Sequence, residues 1–389
     1  MQEIIISNQE SIRKIMLVED EKLVEYYEED SNKKRLEGNI YLGKIRNVVP
    51  GMQAAFVDIG EGKNTFIQVK DLLPKVDETK EQKQEVKDIQ DIAKVGMNII
   101  VQIKKDATSK KGARVSTHIS ITGKYLVYMP DADFITISQK IEDDAQKAEL
   151  KDFLSKVLPK GDGAIIRTSA LEVKKEEIKK EALELIEKWE EIKKDAENSN
   201  EMRLLYKNDN MLAKIIKDTI SNKISRIVVD TDGDYEDVKN IVENLRISRK
   251  IEIVKKENSI ETYELYKQIE KNMGRKIWLK CGGFITIDKT EALTAIDVNS
   301  GKYTGKEDQE QTVFTVNKEA TEEIAKQLRL RDIGGIIVID YIDMKQEKNR
   351  QKIMEFLKEC AKKDRSKIQI LEFTKLNLLE LTRKHMFSN

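Results

Sequence analysis

IIVIDYIDM, residues 336–344, places two aspartates at the end of a run of Ile and Val. Apolar residues on both faces mark a central strand of a covered sheet. A carboxylate there loses much of its hydration unless a positive or hydrogen-bonding group meets it, so the reading turns on what meets Asp340 and Asp343. ALTAIDVNSG, residues 292–301, is a second strand of the same kind, with Asp297 and Asn299 two apart and therefore on one face. If the two strand ends are neighbours, Asp297 and Asp340 converge on one point, and Asn299 is placed to orient a carboxylate. Hard oxygen donors of this sort suit Mg²⁺ or Mn²⁺. Asp343, three residues past Asp340, falls on the opposite face of an extended strand and reaches the same ion only if the strand ends or bends. The competing reading is that these aspartates cap the helices that follow. For Asp343, ahead of a helical pattern from Gln346, capping and metal work weigh equally; for Asp297 and Asp340 the metal reading is preferred.

Composition narrows the chemistry. The 389 residues are 39% hydrophobic and 36% charged, with 70 basic and 70 acidic side chains, so bulk charge does not favour a polyanion and any nucleic-acid binding must come from local patches. Two histidines, His118 and His385, leave almost no material for a histidine pair or a Ser-His-Asp triad. Cys281 and Cys360 form no C-x-x-C, so zinc is not expected and a disulfide framework is disfavoured. No apolar run approaches a membrane span, and MQEIIISNQE lacks the features of a signal peptide, which makes a cytoplasmic enzyme the default.

The pattern along the chain is α/β and multidomain. Residues 3–29 hold short β-like runs. From residue 38 to about 117, five short strands with Gly-rich turns suit a small Greek-key barrel of the OB kind, with the charged stretch 74–94 inserted as a surface loop or helix. Strands and helices then alternate; the longest helix is expected from Ser169 to about Ala196, with Leu171, Ile178, Leu185, Trp189 and Ile192 as its apolar stripe. Residues 225–254 read as one βαβ unit, and a second α/β stretch runs from Lys276 onward, with helices over 308–329 and 346–362.

Two further patches carry chemistry. In GAIIRTSALEVKKEE, residues 163–177, Ser169 and Glu172 have capping-box spacing, which would put Arg167 and Thr168 at a helix N-terminus, an anion site. A surface arginine pairing with helix acids explains the same residues. In AAFVDIG, Ala55, Val57 and Ile59 form the natural core face, leaving Phe56 outward. Phe66 on the next strand can join it, and with Lys104, Lys105, Lys110 and Lys111 nearby the pair forms a stacking platform for single-stranded nucleic acid. The alternative is that the rings are core.

GNIYLGKIRNVVPGMQAAFVDIG, AIIRTSA, ALTAIDVNSG, EIAKQLRLRDIGGIIVIDYIDM and IQILEFTKLNLLELTR together resemble the catalytic half of the RNase E/G family, in family order and across nearly the whole chain. The resemblance implies an RNase H-like subdomain split between residues 1–36 and 212–275, an inserted OB-type RNA-binding barrel (37–117), a 5′-sensor subdomain (118–211), and a DNase I-like catalytic subdomain (276–389). It implies Mg²⁺ on Asp297 and Asp340, with Asn299 orienting Asp297. It also implies a 5′-monophosphate held by Arg167 and Thr168 with Val127 lining the pocket, and single-stranded RNA on Phe56, Phe66 and Lys111. Two departures stand out. Lys367, in DRSKIQI, replaces a family arginine beside the 5′-phosphate and loses the bidentate fork. The family's C-x-x-C zinc link and C-terminal small domain have no counterpart before Asn389, which suggests a short form, natural or trimmed, and leaves the homo-oligomeric state open between a monomer and a weaker dimer. The expected activity is hydrolysis of single-stranded RNA to 5′-phosphate and 3′-hydroxyl ends, in RNA processing and decay, stimulated by a 5′-monophosphate. The rival is a non-catalytic RNA-binding factor in ribosome or RNA assembly, against which the Asp297/Asn299/Asp340 set weighs.

Overall fold

The N-terminal residues form a meander whose tight turns set its register: β1 (Gln2–Gln9), β2 (Ile12–Glu19) and β3 (Lys22–Asp30). Asp20 and Glu21, the two-residue loop between β2 and β3, both have positive φ, the backbone that matches the twist of a hairpin. The structure, a computed structural model, describes residues 2–30, 32–33, 35–73, 88–107, 112–137, 143–219, 224–245, 251–301 and 308–387. By internal contacts the chain forms two units, Lys34–Ser221 and the combination of Met1–Lys33 with Asn222–Asn389.

In the unit 34–221, β4 (Ile40–Val49), β5 (Ala54–Asp58), β6 (Thr65–Gln68), β7 (Asn98–Lys105) and β8 (Arg114–Ser116), with the short helix α1 (Ile89–Ile92), make a closed barrel in the order β4-β5-β6-β8-β7. Pairing of β4 with β7 closes it, and β6 runs parallel to β8. Its interior holds Tyr41, Ile45, Val57, Ile67, Val101, Ile103 and Val115. Gly43 is required there, since a Cβ would sit 2.7 Å from a Val57 methyl. This is the OB-like barrel expected for the region; residues 74–87 of the inserted charged stretch lie outside the described residues.

Next come β9 (Ile121–Thr122), β10 (Leu126–Met129), β11 (Ile135–Ile137), α2 (Asp144–Ser155), β12 (Gly163–Ile166), α3 (Lys175–Glu197), β13 (Arg203–Tyr206) and α4 (Met211–Thr219). A four-stranded sheet β11-β12-β10-β9 shares a core with α2 and α3, while β13 extends the barrel along β4. The stripe Ile178, Leu185, Trp189 and Ile192 of α3 is buried as its spacing requires. The expected helix start is corrected. Thr168–Glu172 is a 3₁₀ turn, Lys174 occupies the N-cap of α3 without a side-chain cap, and the Ser169 hydroxyl donates to the Lys124 carbonyl at 2.5 Å instead of closing a capping box.

In the other unit, β14 (Ile224–Val229), α5 (Asp232–Asn244) and β15 (Glu252–Lys255) form the βαβ element, followed by α6 (Ser259–Thr262) and α7 (Leu265–Met273). The sheet order β15-β14-β1-β2-β3 joins the parallel pair to the meander. The second sheet, in the order β16-β17-β18-β19-β21-β20, comprises β16 (Lys276–Trp278), β17 (Phe284–Lys289), β18 (Leu293–Asn299), β19 (Gly335–Asp340), β20 (Ile368–Phe373) and β21 (Leu378–Arg383). Only β18 and β19 are parallel, because α8 (Gln309–Leu330) crosses between them; α9 (Glu347–Ala361) follows. Ile285, Ile296, Val298, Ile337, Ile339, Leu379 and Leu381 share one core with Val316, Ile324, Ile353 and Leu357 of α8 and α9, so one face of the sheet is covered. The opposite face alternates with it and stays open: Trp278, Asp297, Ile336 and Asp340 are exposed. The doubly covered strand read from IIVIDYIDM is therefore covered on one side. No helix among the described residues is long and apolar enough to cross a membrane.

Within this unit a buried ion cluster ties both sheets together. Glu25 on β3 accepts from Arg329 of α8 at 2.9 Å and from Arg365, and the Tyr27 hydroxyl donates to it at 3.0 Å. Burial would raise its pKa, but the two guanidinium groups hold it at about 2, below its ordinary 4.5. Removing one member of such a cluster leaves charge uncompensated, so Glu25→Gln should lower stability at pH 7 by about 3 kcal/mol in urea unfolding. Because the folded pKa is depressed, the contribution is fully present above pH 4.5 and fades as pH falls toward 2. The gap between wild type and variant should narrow over that window; equal stabilities at pH 7 would contradict the assignment.

Candidate active site

Asp297 and Asp340 are register partners on adjacent parallel strands and lie on the open face, Asp340 as the last residue of β19 and Asp297 two residues before the end of β18. Both are exposed, whereas the sequence suggested carboxylates sunk in apolar strands; alternation turns them outward. The Asn299 amide donates to Asp297 Oδ2 at 2.6 Å and fixes that carboxylate. Among the described residues no Lys or Arg forms an ion pair with Asp297 or Asp340. What meets Asp340 is further negative charge, and partial burial first, then Asp297 and Asp343, raise its pKa above its ordinary value. No group of three or more His, Cys, Asp or Glu side chains among the described residues is disposed to hold a metal ion unaided. An ion on Asp297 and Asp340 would therefore complete its shell with water and substrate oxygens, as Mg²⁺ does.

Asp343 does not cap α9. The N-cap is Gln346, with no side-chain cap, and Asp343 accepts from Asn377 at 3.2 Å. The strand ends at Asp340, which lets the following turn bring Asp343 back toward it. Two residues of α8 that sequence reading missed hold this turn. Asn317, fully buried, donates to the Ile342 carbonyl at 2.8 Å and accepts from the Ile342 N–H at 3.1 Å. Glu310 accepts from the backbone N–H groups of Lys345 and Gln346 and from the Asn349 amide, which lowers its pKa. The legible signal was an amide at a core position of α8, between Val316 and Ala320 in the apolar stripe.

On the barrel, Phe56 and Phe66 are register partners with ring centroids 5.9 Å apart, edge to face, and both rings are half-buried. Arg114 on β8 and then Lys105 on β7 continue the row across the sheet, so aromatic and cationic side chains share one face. Arg114 pairs with Asp71 at 2.7 Å, and Lys104 bonds Gln102 at 2.6 Å. Lys110 and Lys111 lie outside the described residues.

Arg167 follows β12, two residues along and on the same half-exposed face as Val127, because Val127 pairs with Ile165 and the Arg167 N–H bonds Tyr125. Its guanidinium donates to the Gly123 carbonyl at 2.8 Å and to Asp218 of α4, a partner the sequence did not suggest. Thr168 is exposed beside it. With α3 starting at Lys175, the first-turn amides of a long helix are not those next to Thr168. Lys367 is exposed and belongs to the other unit.

Residues 120–386 match the Ribonuclease E/G family, the class to which this chain belongs. Among its relatives, ribonuclease G of Escherichia coli K12 is 34% identical over 388 residues, which span 98% of this chain and 79% of that protein. Ribonuclease G of Haemophilus influenzae is 34% identical over 95% of this chain and 77% of its own length. Ribonuclease E of E. coli K12 is 35% identical over 98% of this chain and 36% of its own length.

If Asn317 holds the Asp343 turn, Asn317→Ala strips two half-buried backbone groups of their partner. Stability should fall by about 1–3 kcal/mol, and the Ile342 amide should exchange with solvent faster than in wild type. Unchanged exchange at Ile342 would show that the turn holds itself.

Proposed function

We propose that this protein is an endoribonuclease that hydrolyses single-stranded RNA to 5′-phosphate and 3′-hydroxyl ends in cytoplasmic RNA processing and decay. The observation that carries the proposal is the parallel register of Asp297 and Asp340 on an open sheet face, in a chain of the Ribonuclease E/G family. A long single strand fits an open face better than an enclosed pocket. Asp297 and Asp340 would hold Mg²⁺, or Mn²⁺, which when bound polarises the scissile phosphate and lowers the pKa of an attacking water. The negative charge that Asp297 and Asp343 add beside Asp340 supports that fit. Asn299 keeps Asp297 in one orientation, and Asn317 and Glu310 keep Asp343 within range of Asp340, as an outer partner or a further ligand. In this reading the sheet β16–β21 with α8 and α9 is the DNase I-like part, and the meander joined to β14 and β15 is the split RNase H-like part.

Phe56 and Phe66 offer ring faces to unstacked bases, with Lys105, Arg114 and Lys111 supplying positive charge along the strand. Arg167, Thr168 and Val127 bind a terminal 5′-monophosphate. Asp218 already occupies the Arg167 guanidinium, so a phosphate must displace it or share it, which makes stimulation by the 5′ end modest.

The test uses 5′-phosphorylated and 5′-hydroxylated versions of one oligoribonucleotide, with and without Mg²⁺. Wild type should cut both, the phosphorylated one faster. Asp297→Asn and Asp340→Asn should each abolish cleavage while RNA affinity stays within a few fold. Arg167→Ala should erase the preference between the two RNAs, a loss of up to about one to two decades in rate. Near-normal Mg²⁺-dependent rates in both aspartate variants would sink the proposal, and equal wild-type rates on the two RNAs would remove its 5′-end part.

A further inference from the structure

Four strands of the sheet carry the acidic pair and an aromatic pair on the same open face. Trp278 on β16 is the register partner of Phe284 on β17, and Phe284 is the register partner of Asn299 on β18. Trp278 is 59% exposed, although indole rings are usually well covered. Its ring meets that of Phe284 at 5.3 Å and 62°. The Lys276 ammonium stands 4.2 Å from the Trp278 centroid and 3.6 Å from that of Phe284. From Trp278 to Asn299 is two strand spacings, about 10 Å.

We propose that Trp278 and Phe284, with Lys276, form a nucleobase-stacking subsite for a nucleotide neighbouring the scissile phosphate. The inference rests on the ribonuclease reading and adds to it where the substrate lies on the sheet. Three features select this occupant over an apolar partner surface. The aromatic patch is small and carries a cation, which suits a base attached to a phosphate. It continues without a break into Asn299 and Asp297, so a strand with one phosphate at the acidic pair has a flanking base over the rings. The contact is by ring faces and edges, on which any base can stack, so the subsite is indifferent to sequence. Lys276 meets the backbone phosphate on that side of the cut, where an ammonium acts as a point charge.

Cleavage is measured with a phosphorylated oligoribonucleotide and with the same RNA made abasic at single positions on either side of its cut. Trp278→Ala should raise KM at least about fivefold with little change in rate at saturation, since base–ring stacking has that magnitude. Trp278→Phe should recover most of the loss. One abasic position should weaken wild type by a similar factor and weaken Trp278→Ala no further, because ring and base are the two halves of one contact. Titration of RNA into a Trp189→Phe background, where Trp278 is the one remaining tryptophan of the chain's two, should quench its fluorescence. If wild type cleaves while Trp278→Ala matches it, if the ring and base losses multiply, or if saturating RNA leaves the fluorescence unchanged, the subsite is overturned and the nuclease reading stands. If wild type cleaves no RNA, the nuclease reading fails and takes the subsite with it.

Discussion

The parallel register between β18 and β19 is the constraint on which the site depends. Parallel neighbours point their C-terminal ends the same way, so residues near the ends of the two strands lie side by side. Asp297 pairs with Asp340 for that reason, and alternation puts both on the face that α8 and α9 leave open. A one-residue slip of either strand would turn its carboxylate into the core and expose the isoleucines beside it. That core makes the slip prohibitive, since Ile296, Val298, Ile337 and Ile339 are all buried. Hydrophobic packing on one face therefore sets the spacing of charge on the other.

The same helix that enforces the crossover also holds the loops. Asn317 and Glu310 of α8 bind backbone groups beyond β19, and Arg329 near its C-terminus enters the Glu25 cluster. At the far side, Arg383 of β21 is buried against Asp332 at 2.7 Å and Asp364 at 2.8 Å. Buried ion pairs contribute little net stability over apolar replacements, but each loses heavily if one partner is removed. Their service here is to fix where segments sit, which a site made of strand ends and turns requires.

Much of the local structure was legible because it follows from short-range pattern. The strands ending at Asn299 and Asp340, the intervening helix, the βαβ unit and the barrel each have their own periodicity. The likeness of five separate segments to one family was legible too. Burial of the acidic pair was misjudged because Ile336, apolar in type, sits on the open face at 52% exposure, so composition alone suggested two covered faces. The capping box at Ser169 met its spacing but lost the hydroxyl to Lys124, a contact 45 residues away. Glu25 finds partners 304 and 340 residues along the chain, and Asn317 and Asp218 likewise act on loops far in sequence. No local motif signals such partners. Asn317 left one trace, an amide in an apolar stripe.

The central claim is that two register-paired aspartates make one divalent-cation site. Titration of Mn²⁺ into the protein, followed by loss of the free-ion electron paramagnetic resonance signal, reads that site without reference to activity. The account predicts one site in wild type that Mg²⁺ competes for, weakened by at least tenfold in both Asp297→Asn and Asp340→Asn. Mn²⁺ binding of undiminished affinity in both variants would contradict it.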